Sequence, residues 1–296
     1  MGAAVEESQR NLDNRKLMEA VNCDDSATVS RMIAAGADVN HRGTSLFTPN
    51  TPIHYAVGRF NTSIARMLIA AGALVANEYL HIAVLSGDVE LVRLIAGSVA
   101  DRNTIHYLQA VGGLAVTPLE TAVACRRLDM LRVILASGAD MNFVSPTGNT
   151  ALSRAVSSNN HEIVNFLLTN GANVNLGGAL TAAVVVNNVD FVRLLIDRGA
   201  TINVPEDIED NLLYLALRSS SKSMALLFVR AKPELVDTLP PIELARLGDD
   251  IPESRRILGT NAAGRRGDAL LAWWQAHHRG GSSKKTRKQS KKVRRS

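Results

Sequence analysis

Two cysteines, seven histidines and a dense run of lysines and arginines are the residues of this 296-residue chain whose types could do chemistry. A thiol turns nucleophilic when a base or cation lowers its pKa. Cys23 and Cys125 lie in separate segments with no Cys or His at metal spacing around either, near the ends of helix-forming stretches where small residues are buried. They read as reduced core thiols of an intracellular protein. His277-His278 is the one adjacent pair, but neighbouring helix residues point about 100° apart and chelate poorly without further ligands. The glycine pairs at Gly112, Gly177 and Gly280 lack the Gly-x-x-x-x-Gly-Lys-Ser/Thr frame of a phosphate loop. Neither a metal nor any other cofactor is expected, and the chain reads as a non-enzyme. Asn61-Thr62-Ser63 matches a glycosylation acceptor but falls where a tight turn belongs.

The basic residues are concentrated at one end. Arg279–Ser296 holds nine Lys or Arg and no acid, so the formal charge of +5 leaves −4 for residues 1–278. Lys284, Lys285, Arg287 and Lys288, then Lys291, Lys292, Arg294 and Arg295, fit the short basic pattern of a nuclear import signal read by an importin. The same charges would serve salt-sensitive contact with nucleic acid or a particle surface, without base selectivity. An inert solubilising tail is the third reading. No stretch reaches the ~20 apolar residues of a membrane span, and the acidic start lacks the build of a secretory signal. A monomer inside the cell, cytoplasmic with access to the nucleus, is the expectation.

Apolar content of 46% with only 4% aromatics suits stacked helices better than a sheet sandwich. Gly-Ala pairs close apolar helices at Gly36, Gly72, Gly138, Gly171 and Gly199, at intervals of 36, 66, 33 and 28, and a degenerate unit ending at Gly97 divides the 66. Before each glycine runs an amphipathic segment such as Val89–Ile95 or Ile163–Leu168, and a seventh, Lys222–Arg230, lacks the glycine. Glycine there lets the chain turn left-handed and end the helix. Each unit opens on a shorter helix, most fully at Thr51-Pro52-Ile53-His54-Tyr55-Ala56, where Thr can cap and Pro fits the first turn. Weaker copies start at Tyr79, Thr117, Thr150, Ala179 and Leu212.

This order of parts resembles the ankyrin repeat: a Thr-Pro-Leu-His-x-Ala opening, a helix pair, then Gly-Ala-Asp-Val-Asn. Gly36–Asn40, Gly138–Asn142 and Gly171–Asn175, with Thr51–Ala56, carry the likeness. The resemblance implies an all-α solenoid of about seven helix-pair units over residues 12–235, joined by β-hairpins, whose hairpin tips and first helices form a concave surface for a partner protein. Residues 1–11 read as a flexible lead. The connection after Gly72 is shortened, and the one between Gly97 and Thr117 is stretched. Residues 236–278 keep apolar residues, among them Trp273 and Trp274, and read as a helical C-terminal cap, because a repeat array exposes an apolar face at its end. Leu239-Pro240-Pro241-Ile242-Glu243-Leu244 also resembles the opening of an F-box, which would make the protein a ubiquitin-ligase substrate adaptor. Residues 279–296 form the tail, which as a disordered segment would offer the virion-associated or nucleic-acid alternative.

Register places the partner-facing residues. The x of the opening motif gives Tyr55, Thr121, Arg154 and Leu215, and the end of the first helix adds Arg59, Phe60, Arg126 and Arg127. The hairpins add Arg42, Phe47, Arg102, His106, Tyr107, Phe143 and Asp207. Arg59, Arg126, Arg127 and Arg154 suggest cationic points along a groove for an acidic or polar protein segment. The alternative is that they pair with acids of the same surface.

Overall fold

In the computed structural model the described residues are 2–43, 51–104, 106–108, 114–202, 211–219, 221–232 and 235. Within them fourteen helices run as seven consecutive pairs. Residues 1–178 and 179–296 form two compact units. The first holds α1 (Gly2–Asn22) with α2 (Ser26–Ala34), α3 (Pro52–Gly58) with α4 (Thr62–Ala70), and α5 (Tyr79–Ser86) with α6 (Val89–Ser98). Strands β1 (His106–Leu108) and β2 (Leu114–Val116) follow, then α7 (Pro118–Ala124) with α8 (Leu128–Ala136) and α9 (Ala151–Ser157) with α10 (His161–Thr169). First helices α1, α3, α5, α7 and α9 pack side by side in order, as do second helices α2, α4, α6 and α8. The second unit holds α11 (Ala179–Val185) with α12 (Val189–Asp197) and α13 (Leu212–Arg218) with α14 (Lys222–Ala231).

The cores follow the apolar period. Ile53, Ala56 and Val57 of α3 and Ile64, Ala65 and Leu68 of α4 are fully buried, and Ala155, Val156, Ile163 and Leu167 repeat the arrangement in α9 and α10. Six of the first helices pass to their partners through one left-handed residue: Asp24, Phe60, Gly87, Arg126, Asn159 and Asn187 all have φ between 53° and 80°. In five of these turns the side chain of the next residue caps the second helix; Arg127, which follows Arg126, makes no such bond. Asp25, Asn61, Asp88, Asn160 and Asn188 each accept a backbone N–H from the first turn, which satisfies donors the helix leaves orphaned.

Several sequence expectations meet a different structure. Thr117 and Thr150 form full capping boxes with Glu120 and Ser153, whereas Thr51, in the fullest motif, makes no side-chain cap bond, the His54 N–H going to the Thr51 carbonyl at 3.0 Å. Helix α1 runs through residues 2–11, which the sequence treats as a flexible lead; Glu7, Gln9, Arg10, Asn11 and Leu12 on it are exposed, and Asn14 and Leu17 are the first buried side chains among those described. Cys23 and Cys125 are free but exposed rather than core residues. They stand at the turn after the last buried positions of α1 and α7, so the helix ends before either thiol can point inward. Thr121 is 1% exposed rather than outward-facing, since its hydroxyl reaches back to the Thr117 carbonyl at 3.0 Å and meets the ring of His81.

Parts of the repeat connections, residues 44–50, 109–113 and 203–210, lie outside the described residues. Among the described residues only β1 and β2 pair, antiparallel with His106 opposite Val116. Elsewhere the connection is an Asx turn in which a side chain, not a second strand, takes the N–H: Asp38 holds Asn40 at 2.9 Å, Asp140 holds Asn142 at 2.8 Å and Asn173 holds Asn175 at 2.9 Å. Phe47, Asp207, the cap at 236–278 and the basic tail lie outside the described residues, and so do the side chains of His106 and Tyr107. Among the described residues no helix is long and apolar enough to cross a membrane.

Candidate docking surface

The Asx turns of the first unit are stitched to one another. Asn14 of α1 accepts the Asp38 N–H at 2.8 Å, and Asn40 accepts that of Leu74 at 2.8 Å while donating to the Gly72 carbonyl at 3.1 Å. Asn77 accepts from Asp101 at 3.2 Å, and Asp101 accepts from Asn103 at 2.8 Å. Asn103 then accepts from Asp140 at 3.1 Å, and Asn142 from Asn173 at 2.8 Å. Asparagine suits this row because its amide both accepts and donates. One position breaks the rule. Leu74 stands where Asp38, Asp101, Asp140 and Asn173 stand in other repeats, has no oxygen to close an Asx turn, and is 77% exposed. Alignment of the repeats is the signal that would have singled it out.

Beside this row the first helices are joined by buried polar groups. His81 is fully buried, with Nε2 2.8 Å from the Thr104 carbonyl and Nδ1 3.2 Å from Thr121 Oγ1. The motif histidine thus bonds backbone across a repeat junction, as its position suggests. Glu120 holds the corresponding place in α7: it accepts from the Thr117 N–H at 2.9 Å and from Ser145 Oγ at 3.1 Å. Arg154 of α9 approaches it at 3.7 Å.

The arginines expected to line a groove have internal partners. Arg127 grips Asp129 through two nitrogens at 3.0 and 2.8 Å and also donates to the Gly87 carbonyl of the preceding repeat at 3.0 Å. Its guanidinium holds the Asp129 carboxyl below the usual carboxylate range, and Asp129 raises Arg127 in turn. Arg126 donates to the Ser158 carbonyl of the following repeat at 3.0 Å, and Arg102 to the carbonyls of Ala96 and Ala100. Among the described residues Arg59 donates only its Nε, to Asn22 at 3.2 Å. Of the four arginines expected along the groove, Arg59 alone keeps its terminal nitrogens unengaged among the described residues, and Arg42 of the connections is exposed. Sequence pattern identifies which side chains leave the core but not which carbonyl of the next repeat a long side chain finds.

On the same edge Asp88 accepts the Thr62 hydroxyl with one oxygen and caps Glu90 and Leu91 with the other. The Thr62 bond is the largest cause of a lowered Asp88 pKa. Tyr55, Phe143 and Arg154 are half-buried, and Phe60 is exposed. Exposed apolar residues that motif register did not select are Leu74, Leu85 and Val144. In the second unit Leu215 is half-buried, Val185 is 71% exposed, and Arg218 lies over the Tyr214 ring at 5.8 Å. Among the described residues no group of three or more His, Cys, Asp or Glu is placed to hold a metal ion.

Known proteins share this arrangement. The sequence profile described as ankyrin repeats (3 copies) matches residues 17–106, 80–178 and 119–206, together well over half of the chain. The chain is 27% identical over 128 residues to the nuclear factor NF-kappa-B p105 subunit of Gallus gallus, covering 41% of this chain and 13% of that protein. It is 26% identical over 165 residues to a putative ankyrin repeat protein of fowlpox virus (strain NVSL), covering 54% of this chain and 85% of that one. The chain thus spans most of the viral relative but a small part of p105. Among solved structures it resembles the ankyrin repeat domain of Bcl-3, titled a unique member of the IkappaB protein family, with a TM-score of 0.50 and 25% identity over 62% of this chain and 86% of that one.

Proposed function

This chain belongs to the ankyrin-repeat family, and we propose that it is a scaffold that docks a partner protein on the exposed rows of its repeats and performs no catalysis. The observation that carries the reading is the bonding between repeats. Five side-chain-to-backbone links between Asn14 and Asn173 hold successive repeats of the first unit in register. Side chains that leave this frame are presented at fixed spacing on rigid elements, which lowers the ordering cost of an interface.

Arg42, Arg59, Phe60, Tyr55 and Phe143 are the partner-facing candidates that keep a surface role. Arg126, Arg127 and Arg154 act chiefly between repeats, and Arg102 bonds carbonyls of its own repeat. The similarity to an NF-kappa-B subunit and to a domain of an IkappaB family member supports a part in protein assembly.

Affinity capture with the full-length protein tests this. A stoichiometric protein partner is expected, retained when residues 280–296 are removed and weakened at least about tenfold by Tyr55→Ala with Phe143→Ala, both anchors of the aromatic kind. Turnover of a small-molecule substrate, or capture that depends wholly on the tail, would overturn it.

A further inference from the structure

We propose that Arg59 and Phe60, with Leu85 of the next repeat, form an anchor for a protein segment in which an Asp or Glu adjoins a large apolar side chain. The inference rests on the docking reading above and names the chemistry of the partner.

Phe60 is the residue least suited to its position. Its φ of 61° is one that a bulky side chain rarely adopts; sister turns use Asp24, Gly87, Asn159 and Asn187 there, and the one other long side chain, Arg126, is engaged by the Ser158 carbonyl. Burial of the ring does not compensate, because Phe60 is 48% exposed. A strained backbone that holds an aromatic ring in water points to a use outside the fold.

Leu85 stands in the last turn of α5, the helix packed on α3, and is 50% exposed. Gly58 occupies the corresponding place in α3, where a side chain would meet nothing within 4 Å. The surface over Gly58 is thus open, two residues before the exposed Phe60.

Arg59 supplies the charge. Its Nε is tied to Asn22, which orients the guanidinium, while its two terminal nitrogens hold no partner among the described residues. Asp24 and Asp88 share the edge, but Asp24 accepts the Asn61 amide at 3.2 Å and Asp88 holds Thr62. Both carboxylates keep their charge, but their bonded oxygens are taken, and the donors left open are the terminal N–H groups of Arg59; a carboxylate can take these paired donors while the neighbouring apolar residue covers Phe60 and Leu85.

Selection of random displayed peptides on the full-length protein tests the anchor. Enriched peptides carrying Asp or Glu next to Leu, Ile, Met or Phe are expected. Their affinity should drop about tenfold in Arg59→Gln and in Phe60→Asn. Phe60→Asn should at the same time raise Tm, since Asn tolerates the left-handed turn, so lost binding cannot be laid to lost folding. Peptides held equally well by both variants would overturn the anchor and leave docking elsewhere on the scaffold. Failure to enrich any peptide would count against both.

Discussion

The side-chain oxygen of Asn142 accepts the backbone N–H of Asn173 at 2.8 Å across 31 residues. Asn142 itself is fixed by Asp140, so each turn positions the amide that fixes the next. Asn142→Ala should cost about 1–2 kcal/mol, a hydrogen bond plus an orphaned donor. Urea unfolding measures the loss, and hydrogen exchange should rise at Asn173 before it rises in α3.

Leu74 offers the opposite experiment. Leu74→Asp restores the Asx turn made by Asp38 and Asp140 and removes an exposed leucine. A gain of about 0.5–1.5 kcal/mol is expected from the added hydrogen bond. A lower urea midpoint would contradict it.

Gly177 and Gly178 both have positive φ, at 64° and 67°, but their surroundings differ. A Cβ on Gly177 would lie 2.6 Å from the Thr150 backbone nitrogen, at the head of a capping box, whereas one on Gly178 meets nothing within 4 Å. Gly178→Ala should cost about 1 kcal/mol for the left-handed conformation alone. Gly177→Ala should cost clearly more, which paired thermal melts would show.

Acid should loosen the protein through its capping aspartates. Asp88, held by Thr62, and Asp129, held by Arg127, have pKa values lowered from 3.8. A carboxyl with a depressed folded pKa adds stability that is present above its unfolded pKa and disappears as pH falls through the folded one. Urea midpoints should hold level down to about pH 5 and fall below about pH 4. Asp88→Asn keeps the cap, as Asn61 and Asn160 do, and should flatten that decline.

Leu167 is fully buried in α10. Leu167→Ala should cost about 2–5 kcal/mol by leaving a cavity. Because repeats share their core with neighbours, exchange protection should fall in α9 and α10 together.

The helix pairs were legible because glycine spacing and apolar period both report which face is buried, and Gly72, Gly138 and Gly171 indeed close their helices with positive φ. Within the connections, the Asx turns at Asp38 and Asp140 were not legible, because the apolar period reports which face is buried and not which side-chain oxygen takes a backbone N–H. For the candidate surface, register put Arg126 and Arg127 outside the core but could not find the carbonyls of Ser158 and Gly87 that engage them. Thr121 was misplaced for a similar reason: a short hydroxyl can turn back to its own helix, and His81 then closes over it.

The links from Asn14 to Asn173 join residues 24 to 37 apart. A nascent chain leaving the ribosome could therefore fasten each repeat to its predecessor after about one further repeat has emerged. Loops of that length close at small entropic expense, so assembly can start wherever two neighbours first meet and spread like a zipper. Unravelling would run the same way in reverse, from an end inward.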